Sequence, residues 1–317
     1  MLNTVNKFIH TVLQLQDSSV IHQPLLSKTS IEKLRQLAEE STGRALHSHE
    51  VEHRQFGDMR SVYRGYGLDY EESRPYQAGD EMRFMNWRLS ARTDELYMKV
   101  FREERRPSVF ILIDRRQSMR FGSTTRLKVT QAARVSTYLS FIEKKQNAPI
   151  GGVVLNETAN WVPESCGETG VYSLLNQINL PCPPFSGTSE ISLDHTLRLL
   201  LNMLARGSVI YLISDFHDLT ERSHPVLLQL AEEHQVNAIN IHDKLEKELP
   251  TASNINILNP DENEDIYLSS DNIIQDTFKQ RAKVHFQKIR HSFSQFNIPY
   301  TEVSAELDKI DKLISQT

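Results

Sequence analysis

Ser108-Val109-Phe110-Ile111-Leu112-Ile113-Asp114 is the stretch that decides the fold. Five apolar residues run without a polar break and end on a carboxylate. A half-buried strand would alternate, so this pattern suits a strand covered on both faces by helices, as in a parallel sheet. Ser208-Val209-Ile210-Tyr211-Leu212-Ile213-Ser214-Asp215 repeats the pattern and also ends in Asp. Between the two lie a polar loop (114–125), a helix from about Arg126 to Lys144, a strand at Pro149–Leu155, an edge strand near Asn160–Val162, and helices at Val171–Asn179 and Ser192–Ala205. Beyond Asp215 the pattern predicts a helix at His224–His234 and a strand at Asn237–His242. A hairpin (Ile255–Leu258 with Asp265–Leu268), a long helix (Ile273–Phe296), a strand (Tyr300–Val303) and a short helix (Leu307–Ile314) follow. Strands alternating with helices imply right-handed crossovers and an α/β, doubly wound, mostly parallel sheet.

Working outward, the chain reads as three segments: 1–45, 46–106 and the α/β domain 107–317. In the first, Ser30 precedes a helical stripe of Leu34, Leu37 and Ala38 that ends near Gly43. The second is rich in Gly, Tyr, Arg and Trp and keeps no helical period. Short strands and ordered loops are expected there, with Glu95–Val100 the clearest alternating strand.

Composition narrows the function classes. The 317 residues carry 36 Lys+Arg against 41 Asp+Glu, a net charge of −5, which argues against a general nucleic-acid binder. Two cysteines, Cys166 and Cys182, make no disulfide framework, and no C-x-x-C offers a zinc knuckle. The longest apolar runs, Val109–Ile113 and Val209–Ile213, are five residues each, far below the ~18 of a membrane span. The first residues lack the basic start and apolar core of a secretion signal. A soluble, cytoplasmic protein without a membrane span is the expectation.

In doubly wound sheets ligands bind beyond the carboxyl ends of the strands, where strand order switches. Asp114 and Asp215 therefore nominate one site. Ser118, four residues after Asp114, adds a hydroxyl, and Thr188, in the loop before the 192–205 helix, adds another. Two carboxylates and two hydroxyls are the oxygen ligands of a hard cation such as Mg²⁺. The plainer expectation is that both aspartates cap the next helices. Other signatures fail. Gly65-x-Gly67 lacks the third glycine of a dinucleotide loop, and phosphate loop and nucleophile elbow are both missing. His195 begins a helix, where a cap or core role is expected, and Gly187-Thr188-Ser189 has no base beside it. His49-Glu50-Val51-Glu52-His53 spells a zinc-peptidase motif, but alternating histidines suggest a strand, which points Glu50 away from them. Two enzymatic alternatives thus stay open: a metal-dependent hydrolase of a phosphorylated substrate through Asp114 and Asp215, and a zinc peptidase at His49, Glu50 and His53. A self-associating scaffold is a third.

The stretch Arg74-Pro75-Tyr76-Gln77-Ala78-Gly79-Asp80-Glu81-Met82-Arg83 is followed by Asn86-Trp87-Arg88-Leu89-Ser90-Ala91-Arg92-Thr93 and by Asp114…Ser118-Met119. In that order the three resemble the signature of domain of unknown function family 58, closely over residues 60–220. The resemblance implies a von Willebrand factor A-like fold with a metal-ion-dependent adhesion site of D-x-S-x-S type. It also implies a MoxR-type AAA+ ATPase as partner and a binding module rather than an enzyme. Two departures stand out: Asn86 replaces the usual Asp, and Arg116 occupies the first Ser of D-x-S-x-S. A guanidinium there removes a ligand oxygen and adds charge. Two like charges ~4 Å apart cost about 4 kcal/mol at an effective dielectric of 20. Arg116 is expected to turn inward and pair with Asp114, Asp215 or both. An outward Arg116 beside a weak Mg²⁺ site, or a site with neither, remains open.

Residues 74–93 suggest a second contact surface or, alternatively, a self-contained clamp between domains. Gly79-Asp80 signals a turn, with Asp80 bonding nearby amides. Trp87 is expected to bury ~200 Å² as an anchor. Arg74, Arg83 and Arg92 are expected to pair with Asp80, Glu71 and Glu72. Phe101–Pro107, with Arg115, Arg116, Arg120 and Arg126, is a solvated connector or a basic lip over the site, and the lip would suit an acidic client protein or peptide.

Overall fold

The computed structural model describes residues 23–41, 69–77, 80–93, 95–102, 107–182, 190–249, 255–258, 265–268 and 272–310. The chain divides into two compact units, Met1–Ser48 with Pro107–Thr317, and His49–Arg106.

In the larger unit the helix α1 (Lys28–Glu40) starts where the Ser27 hydroxyl accepts the Ser30 N–H at 3.1 Å. It buries Leu34 and Ala38. It ends earlier than Gly43 because Lys145 caps its last turn. The Lys145 ammonium donates to the carbonyls of Ala38 (3.0 Å), Glu39 (3.1 Å) and Ser41 (2.8 Å). These are the orphan acceptors of a helix end, where a cation is favoured. Leu26 is bolted down by Asn179, whose side chain accepts its N–H at 2.5 Å and donates to its carbonyl at 3.0 Å.

The sheet of this unit holds β3 (Val109–Asp114), β4 (Ile150–Leu155), β5 (Ala159–Ser165), β6 (Val209–Ser214), β7 (Gln235–His242) and β10 (Tyr300–Ser304). Their order is β10-β7-β6-β3-β4-β5, with every neighbour parallel except the antiparallel edge strand β5. The helices are α3 (Lys128–Lys145), α4 (Gly167–Ile178), α5 (Leu193–Met203), α6 (His224–Glu233) and α7 (Asn272–Ser294). β3 explains the architecture residue by residue. Val109, Ile111 and Ile113 point into a core shared with α1, α3 and α4, whereas Phe110 and Leu112 point into one shared with α5, α6 and α7. A strand alternates faces every residue, so only an unbroken apolar run fills both cores. β4 comes close to both the sheet and α4 because Gly152 has no side chain. A Cβ there would stand 2.6 Å from both the Ile111 carbonyl oxygen and a Leu174 methyl.

β8 (Ile255–Leu258) and β9 (Asp265–Leu268) form the anticipated antiparallel hairpin. The short helix anticipated at Leu307–Ile314 does not begin there: Leu307–Lys309 is non-helical and 311–317 lie outside the described residues. The smaller unit pairs β1 (Asp69–Pro75) antiparallel with β2 (Tyr97–Arg102). Between them lies a helix that periodicity had not suggested, α2 (Trp87–Thr93), preceded by a 3₁₀ turn at Met82–Phe84. Seven residues with Ser90 as the one buried side chain leave no apolar stripe to read.

Candidate functional site

The chain leaves β3 to pair β4 on one side and returns as β6 on the other, so the carboxyl ends of β3 and β6 flank the switch in strand order. Asp114 ends β3 fully buried. One of its oxygens accepts the Arg116 backbone N–H at 2.9 Å and the Arg116 Nε–H at 3.0 Å. The other accepts Arg116 Nη2 at 2.7 Å and the Ser214 hydroxyl at 2.6 Å. Arg116 turns inward, and its side chain is 6% exposed. Its remaining N–H groups form a second fork onto Asp218, with Nη1 to Oδ2 at 2.6 Å and Nη2 to Oδ1 at 2.9 Å, while Nη1 also reaches the Ile191 carbonyl at 3.3 Å. A guanidinium has five N–H donors, and five bonds satisfy them. Burial works against this charge, but Asp114 and Asp218 outweigh it and raise the Arg116 pKa above the ordinary arginine value. For Asp218, burial is likewise outweighed by Arg116, and its carboxyl is held below the usual range.

Arg116 does not reach Asp215, the other aspartate expected as its partner. Asp215 instead accepts from Lys128, the first residue of α3, at 2.8 Å, and Lys128 also meets Glu246 at 2.5 Å. Both contacts of this buried ammonium are charge-assisted, and together they raise its pKa against the cost of burial. One ammonium shared by two carboxylates leaves them unequal. Burial raises both; Lys128, helped by His217 and a hydrogen bond from Ser118, takes Asp215 well below the usual range. Glu246 stays above it, because burial and the neighbouring Asp215 outweigh its share of Lys128. Glu246 also closes a capping box, accepting the Asp243 N–H at 2.8 Å.

A single unusual turn aims these groups. Phe216, buried between Asp215 and His217, has φ +53°, a conformation uncommon for a side chain of its size. Its N–H is held by the Ser214 hydroxyl at 3.0 Å. The turn sends Asp215 toward Lys128 and, three residues on, Asp218 toward Arg116.

Of the residues nominated from sequence, Asp114 and Arg116 meet directly, and Ser118 joins Asp215. Thr188 lies outside the described residues, as do Gly187, Ser189, and His49, Glu50 and His53. Asp218, Lys128 and Glu246 were missed. The clue to Asp218 was chemical: a buried guanidinium demands more than one carboxylate, and Asp218 is the next acid after Asp215. Of the basic lip, the side chains of 101–106 lie outside the described residues, and the arginines of the larger unit are engaged within it. Arg115 is buried and donates to the carbonyls of Gln177 (3.0 Å), Leu180 (2.5 Å) and Pro181 (3.0 Å). Arg120 donates to the Arg115 carbonyl at 3.0 Å, and Arg126 to the carbonyls of Ala305 and Leu307, both at 3.1 Å, besides pairing with Asp308. Nor is Arg116 left with a donor for an acidic client.

A divalent cation at Asp114 and Asp215 does not fit this arrangement. Each carboxylate already faces a buried internal cation, and an ion between them would stand beside a guanidinium and an ammonium. Among the described residues no group of three or more His, Cys, Asp or Glu side chains is placed to hold a metal.

In the smaller unit, Arg74 pairs with Asp80 at 2.6 Å, and Asp80 accepts the Gln77 N–H at 2.9 Å, the expected turn. Arg83 pairs with Glu81 at 2.5 Å, not with Asp80, and its guanidinium lies over Phe84. The Tyr76 N–H reaches the Leu96 carbonyl at 2.8 Å. Asn86 caps α2, accepting the Leu89 N–H at 3.2 Å, a task that Asp would also perform. Gly79 and the side chains of Glu71 and Glu72 lie outside the described residues. Trp87 is not a buried anchor: it is 63% exposed. α2 turns Ser90 inward, where its hydroxyl accepts the Tyr97 N–H at 2.8 Å, while Trp87, Arg88, Ala91 and Arg92 are exposed.

Among the described residues no helix is long and apolar enough to cross a membrane. The chain is similar to the uncharacterized protein Rv1480 of Mycobacterium tuberculosis and to the uncharacterized protein Mb1516 of Mycobacterium bovis. Each is 23% identical over 260 residues, with 81% of either chain covered. Among solved structures it is similar to BatB from Bacteroides thetaiotaomicron, with 15% identity, a TM-score of 0.42, and coverage of 67% of this chain and 96% of that one. It is similar to the same degree to an aerotolerance-related membrane protein from Bacteroides fragilis, covering 98% of that chain. The family described as "Protein of unknown function DUF58" matches residues 72–288, more than half of the chain, and this protein belongs to that family.

Proposed function

We propose that this chain is a cytoplasmic, non-enzymatic binding module of von Willebrand factor A-like type, an adaptor for a MoxR-type AAA+ ATPase that supplies the ATP hydrolysis. The observation that carries the reading is Arg116, locked between Asp114 and Asp218 with every donor used. Where the resemblance implies a metal ion, this chain supplies its own cation, and Lys128 does the same for Asp215. A site neutralised from within presents no open ligand position and no free carboxylate base at Asp114 or Asp215. The hydrolase alternative needs those two carboxylates as metal ligands. The adhesion-type site then works as a preassembled set of loops, and partner recognition does not pass through a coordinated ion. The closing experiment is calorimetric titration of the purified nucleotide-free ATPase into this chain, once with Mg²⁺ and once with chelator. Equal association in both buffers is expected. Association that chelator abolishes contradicts the ion-free site, and no association in either buffer removes the adaptor reading.

A further inference from the structure

We infer that the outward face of α2, made by Trp87, Arg88, Ala91 and Arg92, docks an acidic, partly apolar segment of the partner ATPase; this deepens the adaptor reading and rests on it. Three large apolar side chains stand in water within a short stretch of the smaller unit: Met82 (55% exposed), Trp87 (63%) and Leu96 (48%). The same unit has an interior, and puts Met85 and Met98 in it at 2% and 3% exposure. Its tryptophan is left outside.

Two of these exposed apolar groups, Trp87 and Leu96, are brought together by the backbone. Met85 bridges Met98 in antiparallel fashion, and the Asn86 N–H bonds the Tyr97 carbonyl at 2.7 Å, so Trp87 comes opposite Leu96. Arg88 and Arg92, both exposed, are four residues apart on α2 and so lie one above the other. The helix WRLSART carries two guanidinium groups and no carboxylate. Tryptophan and arginine are among the residues enriched where protein interfaces gain most of their binding energy. Each guanidinium can fork onto a carboxylate, and two of them one turn apart select a partner with acids at matching spacing around an apolar side chain. Arg83 is engaged by Glu81 and Phe84 and frames the patch instead.

The test measures the affinity of the full chain for the purified MoxR-type ATPase, by calorimetry at low and high salt. The variants are Trp87→Ala, the pair Arg88→Glu with Arg92→Glu, and Lys283→Glu as a charge control on α7, where Lys283 is exposed. Trp87→Ala should weaken binding roughly tenfold or more. The paired reversal should weaken it further and flatten its salt dependence, while Lys283→Glu leaves it unchanged. No association of the wild type overturns the adaptor reading and this inference with it. Association that Trp87→Ala and the arginine reversals leave intact overturns the docking face alone. Melting and light scattering separate the other occupants. A melting temperature that falls by several degrees in Trp87→Ala means that the chain covers this face itself. A wild-type dimer that Trp87→Ala dissolves assigns the face to a second copy. Either result contradicts the inference.

Discussion

At the carboxyl edge of the large sheet, Arg116 gives five N–H groups to two carboxylates and a carbonyl and is nearly sealed from water. On α2 of the smaller unit, Arg88 and Arg92 stand exposed beside an exposed tryptophan. Both regions carry arginine within the stretches that resemble the family signature, yet their surroundings differ. Arg116 follows a strand buried on both faces, so its side chain has nowhere to go but among the acids that end β3 and follow β6. α2 is a short helix with one inward side, and whatever is not on that side faces solvent. A charge in the first setting holds the fold together, whereas a charge in the second is free to meet another molecule.

Removing the sealed charge should have the largest effect. Arg116→Ala leaves Asp114 buried without its cation and should cost about 3–5 kcal/mol in urea unfolding at neutral pH. Arg116→Lys restores the charge but not the double fork, and should recover only part of that loss. A loss below about 1 kcal/mol for Arg116→Ala, the level of an exposed ion pair, would erase the contrast between the two regions. Lys128→Met should cost somewhat less, about 3 kcal/mol. Glu246, whose carboxyl already lies above its usual range, can take up a proton in the absence of the ammonium, so the deficit should shrink as pH falls toward 5.

Next in size is a pH effect at the same edge of the large sheet. Burial, with Lys247 3.1 Å away, pushes His242 down to about 4 from its ordinary 6.5. Between those values the unfolded chain binds a proton that the folded chain does not. Stability contributed by neutral His242 is therefore complete above pH 6.5 and is lost as pH falls toward 4, by about 1.4 kcal/mol per pH unit. His242→Gln should remove about one proton from that slope. Unfolding curves at pH 5 and 7 check it, and equal slopes in both proteins would remove His242 from the account. Trp87→Ala should change stability least, by no more than about 0.5 kcal/mol, because little is packed against the ring.

How much of this was legible depended on which physical signal each part rests on. β3 and β6 were readable because an unbroken apolar run has few other uses, and the two aspartates at their ends located the site. The inward turn of Arg116 followed from charge, since a guanidinium four bonds from the backbone at a cluster of acids has an obvious partner in Asp114. Its second partner was not readable. Asp218 rather than Asp215 faces Arg116 because Phe216 adopts a left-handed conformation that nothing in its identity announces. Lys128 was hidden by a helix start placed two residues early, which made it one of several basic residues instead of the first of α3. Trp87 misled for the opposite reason. Large aromatic residues are usually buried, but here Trp87 is exposed and the buried side chain of α2 is Ser90, whose hydroxyl bonds to β2.

The most direct test titrates Mg²⁺ and Mn²⁺ into the wild type and into Arg116→Ser, by calorimetry. The guanidinium that fills the wild-type site predicts no binding at millimolar metal, with binding appearing when serine frees Asp114 and Asp218. Millimolar or tighter binding by the wild type, lost on substitution of Asp114, would contradict the internally occupied site.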